Sequence, residues 1–295
     1  MISCKLKHLF DGGVSSKDTG LGNTLFQVAA QYALSKKYSL TMNVEELYIY
    51  CQNLKAIEYN HDETILKKAL TFDKSTNDKG VLITEELYKN ELYDLDFIKA
   101  IEQNIPNNIY IYGYLQSFLY FDEYRSDILD LYAIDQDSLK HICENYSVLF
   151  DDSHICVSVH VRMNYCNINY NSNFFIKAIE YIKSRYPTAV FLIFSNETEL
   201  IKDWFNDTNI NYMFVKNKYD YLDLWVMSLC KHNIISHSTF AWWGAYLNDN
   251  PDKVVIYPND ALRIFWGRLY DQPQCIERKY EHFFDTWIGM DSTTF

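Results

Sequence analysis

The arrangement of apolar runs in the second half of the sequence constrains the fold more than any other feature. Stretches of helical character lie between most of these runs. The runs that we interpret as strands are Cys156 to Val161, Ala189 to Phe194, Tyr212 to Val215, Asn233 to Ile235 and Val254 to Tyr257. Runs that are apolar throughout are typical of parallel strands buried on both faces. Strands and helices in alternation therefore predict an α/β fold with a doubly wound sheet.

The loops that follow these strands are where we expect functional residues. In a doubly wound sheet, ligands bind beyond the carboxyl ends of the strands. Loops begin at Arg162, Ser195 and Ser236, each after a predicted strand. We therefore expect these three loops to meet at one crevice.

The first half of the chain predicts a second α/β domain. A short strand near Ile2 to Leu6 precedes a loop and then a helix, in which Leu25, Ala29 and Ala33 recur at helical spacing. The remaining segments are an irregular, charged stretch, a further strand and two helical stretches, covering Asn43 to Pro106, Ile109 to Leu115 and the residues up to Tyr146. A chain of 295 residues is about twice the usual domain length. We predict domains at residues 1–150 and 151–295.

Composition excludes several classes of function. A net charge of −12 argues against a nucleic-acid-binding surface, which needs a basic stripe. The seven cysteines form no pattern typical of a zinc site. No window reaches the apolar length of a signal peptide or a membrane span, so we expect a cytoplasmic protein without a membrane span.

A Gly-x-Gly pattern precedes the first predicted helix. Gly20 and Gly22 form a turn there, and the free N–H groups at a helix start favour an anion. The third small residue of a dinucleotide fingerprint and the Gly-Lys-Ser/Thr of a P-loop are both absent. By itself, the pattern is better explained by an ordinary tight strand-to-helix turn than by an anion site.

The first strand of the second half ends in a histidine and an arginine. His160 and Arg162 are two residues apart and therefore share one face of the strand. Histidines in such places are often hydrogen-bonded core residues. An arginine at the carboxyl end of an inner strand needs an anionic partner, and its planar donor fork fits phosphate oxygens.

A polar segment follows a later strand and opens a helix. Ser238 is a natural N-cap, and its hydroxyl and that of Thr239 can hold a phosphate at the helix start. An ordinary cap without ligand contact fits Ser238 equally well. For the two tryptophans of this helix, Trp242 and Trp243, we expect core packing.

Taken together, these segments resemble the α-1,2-fucosyltransferase family, glycosyltransferase family 11, which is related to the α-1,6- and protein O-fucosyltransferases. The resemblance lies in four blocks in the family order: Gly20 to Gln27, Gly113 to Phe121, the strand end at His160 and Arg162, and Asp223 to Asn248. The last block is the longest.

The resemblance implies a GT-B fold, in which two Rossmann-like, doubly wound domains face each other across a cleft. It also implies an inverting transfer of L-fucose from GDP-fucose to a glycan hydroxyl, with α-1,2 linkage to galactose, no cofactor and no metal. Residues 1–150 would form the acceptor side and residues 151–295 the side that binds the GDP-sugar.

The same resemblance implies roles for individual residues. Arg162 matches the arginine that contacts the donor diphosphate. The resemblance identifies no general base, and from the chemistry of the transfer His160 is a candidate for that role. The residues implied in substrate binding are Gly20, Gly22, Asn23, Arg162, Ser195, Asn196, His237, Ser238, Thr239 and Phe240. The sequence departs from the family at three places. Met163 replaces a second arginine, Asn164 and Tyr165 replace a Gly-Asp pair, and His237 replaces an asparagine.

Two other functions stay open at this point. A metal-dependent transferase of the GT-A type needs an Asp-x-Asp pair, and Asp94 to Asp96 and Asp135 to Asp137 both have that form. In a chain with 39 acidic residues, such triplets usually mark solvated faces. Alternatively, the departures from the family motif fit a protein that binds a GDP-sugar without transferring it. Acceptor identity and oligomeric state have no signature in the sequence.

Overall fold

A computed structural model describes residues 1–6, 20–56, 62–75, 79–85, 93–163, 172–206, 209–259 and 282–291. Its strands are β1 Ile2–Lys5, β2 Met42–Asn43, β3 Val81–Thr84, β4 Ile109–Tyr112, β5 Cys156–Val161, β6 Val190–Ser195, β7 Asn211–Phe214, β8 His232–Ile234, β9 Val255–Pro258 and β10 Ile288–Met290. Its α-helices are α1 Leu21–Lys37, α2 Glu45–Ala56, α3 Asp62–Ile65, α4 Leu95–Gln103, α5 Arg125–Leu131, α6 Gln136–Asn145, α7 Asn173–Arg185, α8 Thr198–Ile201, α9 Asp220–Leu229 and α10 Thr239–Leu247. None of the helices in the described ranges is long and apolar enough to span a membrane.

The fold is α/β with two parallel sheets, as the alternation of apolar runs predicted. By contacts the chain divides into two compact units, Met1–Ala133 and Ile134–Phe295. That division places α6 in the second unit, where it contacts α9. The predicted functional boundary near residue 150 and the acceptor and donor roles of the two sides stay predictions.

The first unit holds a four-stranded sheet in the order β2-β1-β4-β3. All of its strand pairs are parallel. Ile2 lies opposite Met42 on one side and Ile109 on the other, so β1 is an inner strand and its side chains are buried up to Cys4. Because the strands are parallel, their carboxyl ends meet at one edge.

Helix α1 covers this sheet. Leu25, Ala29 and Ala33, which predicted the helix, are all buried. The helix begins earlier than expected, since Leu21 is already helical and Gly20 is the extended N-cap. Gly22 therefore lies in the first turn of α1 and not in a loop before it.

The prediction that residues 43–106 are irregular was wrong. This stretch contains β2, α2, α3, β3 and α4. Its strands are short, and β3 is an edge strand in which Leu82 and Thr84 are exposed. These strands are too short to show the long apolar run that identifies an inner parallel strand, since β2 has two residues and the run in β3 extends only from Val81 to Ile83.

The second unit holds a six-stranded parallel sheet in the order β10-β9-β8-β5-β6-β7. The five predicted strands are confirmed, with bounds shifted by about one residue, as is usual for strand ends. Strand β5 is buried along its whole length. One apolar core joins β5 to α7 and β6. It includes Val157, Val159, Val161, Met163, Phe174, Phe175, Ala178, Ile179 and further apolar residues of β6 and α7.

Candidate functional site

The residues predicted to bind substrate fall into two groups, each at the carboxyl edge of one sheet. In the second unit, β8, β5 and β6 are neighbours, and all run parallel. Val161 at the end of β5 lies opposite Ser195 at the end of β6. The loops that begin at Arg162, Ser195 and Ser236 therefore meet at one edge, as predicted.

His160 connects β5 to the loop after β8. Its Nδ1 lies 2.8 Å from Ser236 Oγ, and its ring centroid lies 5.8 Å from that of Phe240. The side chain is only 7% exposed. Burial, and then the neighbouring charge of Arg162, lowers the pKa of His160 to about 3. The imidazole is therefore neutral near pH 7.

The turn that carries Arg162 is held by Asn196. Met163 N donates to Asn196 Oδ1 at 2.9 Å, and Asn196 Nδ2 donates to Met163 O at 3.1 Å. Arg162 itself is half-buried. The Met163 side chain packs into the core and is 9% exposed. The amide of Asn196 thus fixes the backbone immediately after Arg162, and the second arginine of the family pattern is replaced by a core residue.

The start of α10 lies in the same group. Ser238 is extended, and its Oγ accepts from Ala241 N at 3.4 Å, which confirms it as the N-cap. His237 and Thr239 are buried, whereas Ser238 and Phe240 are half-buried. Trp242 and Trp243 are buried, as predicted for core residues, and Trp242 Nε1 donates to His282 O at 2.7 Å.

Gly20, Gly22 and Asn23 belong to the group in the first unit. Gln116 Nε2 donates to Asn23 Oδ1 at 2.7 Å. This bond joins the first turn of α1 to the loop that follows β4. Two segments that are far apart in the sequence, and that both resemble family blocks, therefore meet at the carboxyl edge of the first sheet.

A buried carboxylate in this loop region was missed by sequence reasoning. Glu85, directly after β3, accepts from Leu115 N at 2.8 Å with Oε2 and from Tyr120 Oη at 3.0 Å with Oε1. Burial raises the pKa of Glu85 to about 7. Its position after a short apolar run was the only available signal, and that run was not recognised as a strand.

A second pair of carboxyl groups was also missed. Asp220 and Asp223 lie in the first turn of α9, after β7. Burial raises the pKa of Asp220 to about 7 and that of Asp223 to about 6. Asn217 Nδ2 donates to Asp223 Oδ1 at 2.7 Å. Perturbed carboxyl groups of this kind are frequent at functional sites and in structural networks alike.

Both Asp-x-Asp triplets begin with a helix cap. Asp94 Oδ1 accepts from Asp96 N and from Phe97 N at the start of α4. Asp135 Oδ1 accepts from Ser138 N at the start of α6, and its Oδ2 accepts from Ser138 Oγ. These carboxylates satisfy the free N–H groups of a helix start. Within the described ranges, no group of three or more His, Cys, Asp or Glu side chains is placed to hold a metal ion.

Comparisons with known proteins point to one family. The model of the family described as "Glycosyl transferase family 11" matches residues 8–269. An Escherichia coli protein named O-antigen biosynthesis glycosyltransferase WbnK is 28% identical, with 81% of this chain and 91% of that protein covered. An Escherichia coli alpha-1,2-colitosyltransferase is 24% identical, with 81% and 88% covered.

Solved structures with a similar backbone are also glycosyltransferase-related. They include a family 9 glycosyl transferase from Veillonella parvula, at 10% identity and a TM-score of 0.49 over 100% of this chain and 87% of that one. Arabidopsis thaliana FUT1 in complex with GDP has 9% identity and a TM-score of 0.47, over 87% and 70%. Similarity at this level carries no information about the reaction.

Proposed function

The chain belongs to glycosyl transferase family 11, and on that basis we propose that it transfers L-fucose from GDP-fucose to a glycan hydroxyl. It is a glycosyltransferase of the family that its sequence blocks resembled. The finer terms of the proposal are a GT-B arrangement, inversion at the anomeric carbon, α-1,2 linkage to galactose and independence of metal ions.

The observation that carries the proposal is the position of Arg162. It follows the inner strand β5 at the carboxyl edge, and Asn196 anchors the next peptide unit. When the anomeric C–O bond breaks, negative charge develops on GDP. A preorganised guanidinium, with the N–H groups at the start of α10, would stabilise that charge without a metal.

Because His160 is neutral, we assign it a structural role and not a catalytic one. A group with a pKa of about 3 binds protons weakly near pH 7 and is therefore a poor general base. We propose instead that His160 holds Ser236 and with it the loop that leads to Ser238. The general base stays unassigned.

The donor sugar is the point that needs a direct test. One relative is named for colitosyl transfer, so a donor sugar other than fucose has to be included in the test. We would incubate the protein with GDP-fucose, a GDP-colitose donor, UDP-sugars and a panel of galactosides in EDTA, and identify products by mass. We expect fucosylated galactosides. Transfer from UDP-sugars alone, or only after Mn²⁺ is added, would contradict the proposal.

GDP-fucose that binds but is never consumed, whatever the acceptor, would favour the alternative of a GDP-sugar-binding protein. Transfer of colitose in preference to fucose would retain the GDP-sugar site and change the identity of the sugar. Analysis of the linkage in the product then tests the α-1,2 assignment.

A further inference from the structure

The loop that follows β4, residues 113–117, lies directly over the carboxylate of Glu85. Leu115 N donates to Oε2 at 2.8 Å, and Leu115 has a positive φ of 52°. A non-glycine residue in this region is strained unless its surroundings hold it. The carboxylate supplies that hold, since it accepts from the N–H group of the strained residue itself.

Gly113, the first residue of the loop, also packs closely against Glu85. A Cβ atom added at Gly113 would lie 2.5 Å from Glu85 Cβ and 2.6 Å from its Oε2. Tyr120 Oη donates to Oε1 at 3.0 Å and accepts from Asp94 N at 2.9 Å. Glu85 is 3% exposed. Both carboxylate oxygens therefore have donors within the protein, and the group itself is shielded from solvent.

The same loop contacts Asn23, a predicted substrate-binding residue of the first unit. Gln116 follows Leu115 directly, is buried, and donates to Asn23 Oδ1 at 2.7 Å. An amide held through its oxygen has a fixed orientation, because its nitrogen must point to the other side. The orientation of Asn23 thus depends on where the loop places Gln116.

We propose that Glu85 is a positioning residue of the transferase site: its carboxylate fixes loop 113–117 and, through Gln116, fixes the orientation of the Asn23 side chain. This inference rests on the proposed function, in which Asn23 is one of the residues implied in substrate binding. Glu85 acts through the loop and does not touch the substrate, since it is buried and both its oxygens accept from protein groups.

The variant that tests this is Glu85→Gln. A glutamine accepts through one oxygen only, so either the Leu115 N–H group or the Tyr120 hydroxyl loses its acceptor and the contact that holds the loop is weakened. A displacement of about 1 Å in a positioned group can cost on the order of a hundredfold in rate. We therefore expect kcat to fall by about tenfold to a hundredfold, with the calorimetric affinity for GDP unchanged. The matched control is Glu102→Gln, which alters another Tyr–Glu pair of this unit, Tyr38 Oη to Glu102 Oε1 at 2.9 Å, and should leave kcat unchanged.

A comparison of kcat in single and double variants distinguishes a positioning role of Glu85 from a role in stability alone. Gln116→Ala removes the link to Asn23 and leaves Glu85 intact, and we expect a similar loss in kcat. The double variant should then lose little more than the worse single variant, because both changes release the same side chain. Losses in kcat that multiply, or a Gln116→Ala variant with normal kcat, would overturn the proposal. If Glu85→Gln fails to fold, Tyr120→Phe removes one donor and should lower kcat in the same direction.

Hydrogen exchange at the Leu115 amide tests this inference separately from the proposed function, because exchange does not depend on which donor the enzyme uses. If the wild-type protein uses another donor, the same variants are assayed with that donor. In either case, we expect Glu85→Ala, which removes both acceptors, to speed exchange of the Leu115 amide, and Glu102→Ala to leave it unchanged. Unaltered exchange in Glu85→Ala would overturn the inference whatever the donor proves to be.

Discussion

Arg162 is the residue on which the chemistry of the proposal depends most. Removal of one preorganised donor to developing negative charge costs about 2.7 to 4 kcal/mol, or roughly a hundred- to a thousandfold in rate. We expect at least that loss in kcat for Arg162→Ala. Arg162→Lys should recover little, because a point charge does not reproduce the two-pronged contact with phosphate oxygens. Both rates are measured per folded molecule.

A matched control for Arg162 is Arg185→Ala. Arg185 is exposed at the end of α7, and its guanidinium lies 3.7 Å from the centre of the Tyr181 ring. We expect its kcat to match the wild type. If Arg162 instead pairs with a carboxylate for stability alone, Arg162→Ala would lower the melting temperature and retain its turnover, and that outcome would remove Arg162 from the mechanism.

Asp220 predicts a measurable pH dependence of stability. Burial, with a smaller contribution from Asp223, raises the pKa of Asp220 to about 7. Between its unfolded pKa of about 4 and pH 7, the folded state keeps a proton that the unfolded state has released, so this group lowers the stability as pH rises. Asp220→Asn does not titrate. Relative to the wild type, the variant should therefore gain stability from pH 5 to pH 8 in urea unfolding. An equal difference at both pH values would contradict the raised pKa.

Residue patterns in the sequence predicted the strand-end positions of His160 and Arg162, because a buried strand followed by polar residues is a local feature. The buried environment of Glu85 could not be predicted from its local sequence. Its environment is created by Leu115 and Tyr120, which come later in the chain and approach only when β3 and β4 pair. The replacement at Met163 was visible, but its place in the core followed only from the packing of β5 against α7.

At the scale of elements, the two Asp-x-Asp triplets offer a test of metal dependence. Asp135→Ala removes the cap of α6 and should cost about 1 kcal/mol of folding stability. Asp135→Asn keeps a capping oxygen and should restore most of it. Transfer per folded molecule should be unchanged in both, and also in EDTA. Loss of transfer in Asp135→Asn, with rescue by Mn²⁺, would support the metal-dependent alternative.

The elements that sequence reasoning predicted best are the inner strands of the second sheet. They are buried on both faces, which favours runs of apolar side chains that are visible in the sequence. The strands of residues 43–106 were missed for the opposite reason: β2 has two residues, and β3 is half exposed at the edge of its sheet. Helix α4 was also missed, although Asp94 caps it and Phe97, Ile98 and Ile101 form its buried face.

For the whole molecule, the proposed donor predicts selective stabilisation by a nucleotide. A ligand that binds only the folded state at a hundred times its Kd raises the free energy of unfolding by about 2.7 kcal/mol. We expect GDP to raise the melting temperature, whereas UDP at the same concentration should not. The two nucleotides serve as each other's control in one thermal-shift experiment, and equal shifts would contradict a guanine-specific site.

The parallel pairing in both sheets also determines when the protein can fold during its synthesis. β1 is synthesised well before its neighbour β4, which begins only at Ile109. In the second unit, β5 likewise needs β8, which begins at His232. Long connections must close before these pairs form, which makes parallel sheets slow to assemble and exposes their apolar strands meanwhile. A nascent chain that stops before Ile109 lacks the central strand pair of its first sheet, so its apolar strand β1 stays exposed and open to chaperone binding.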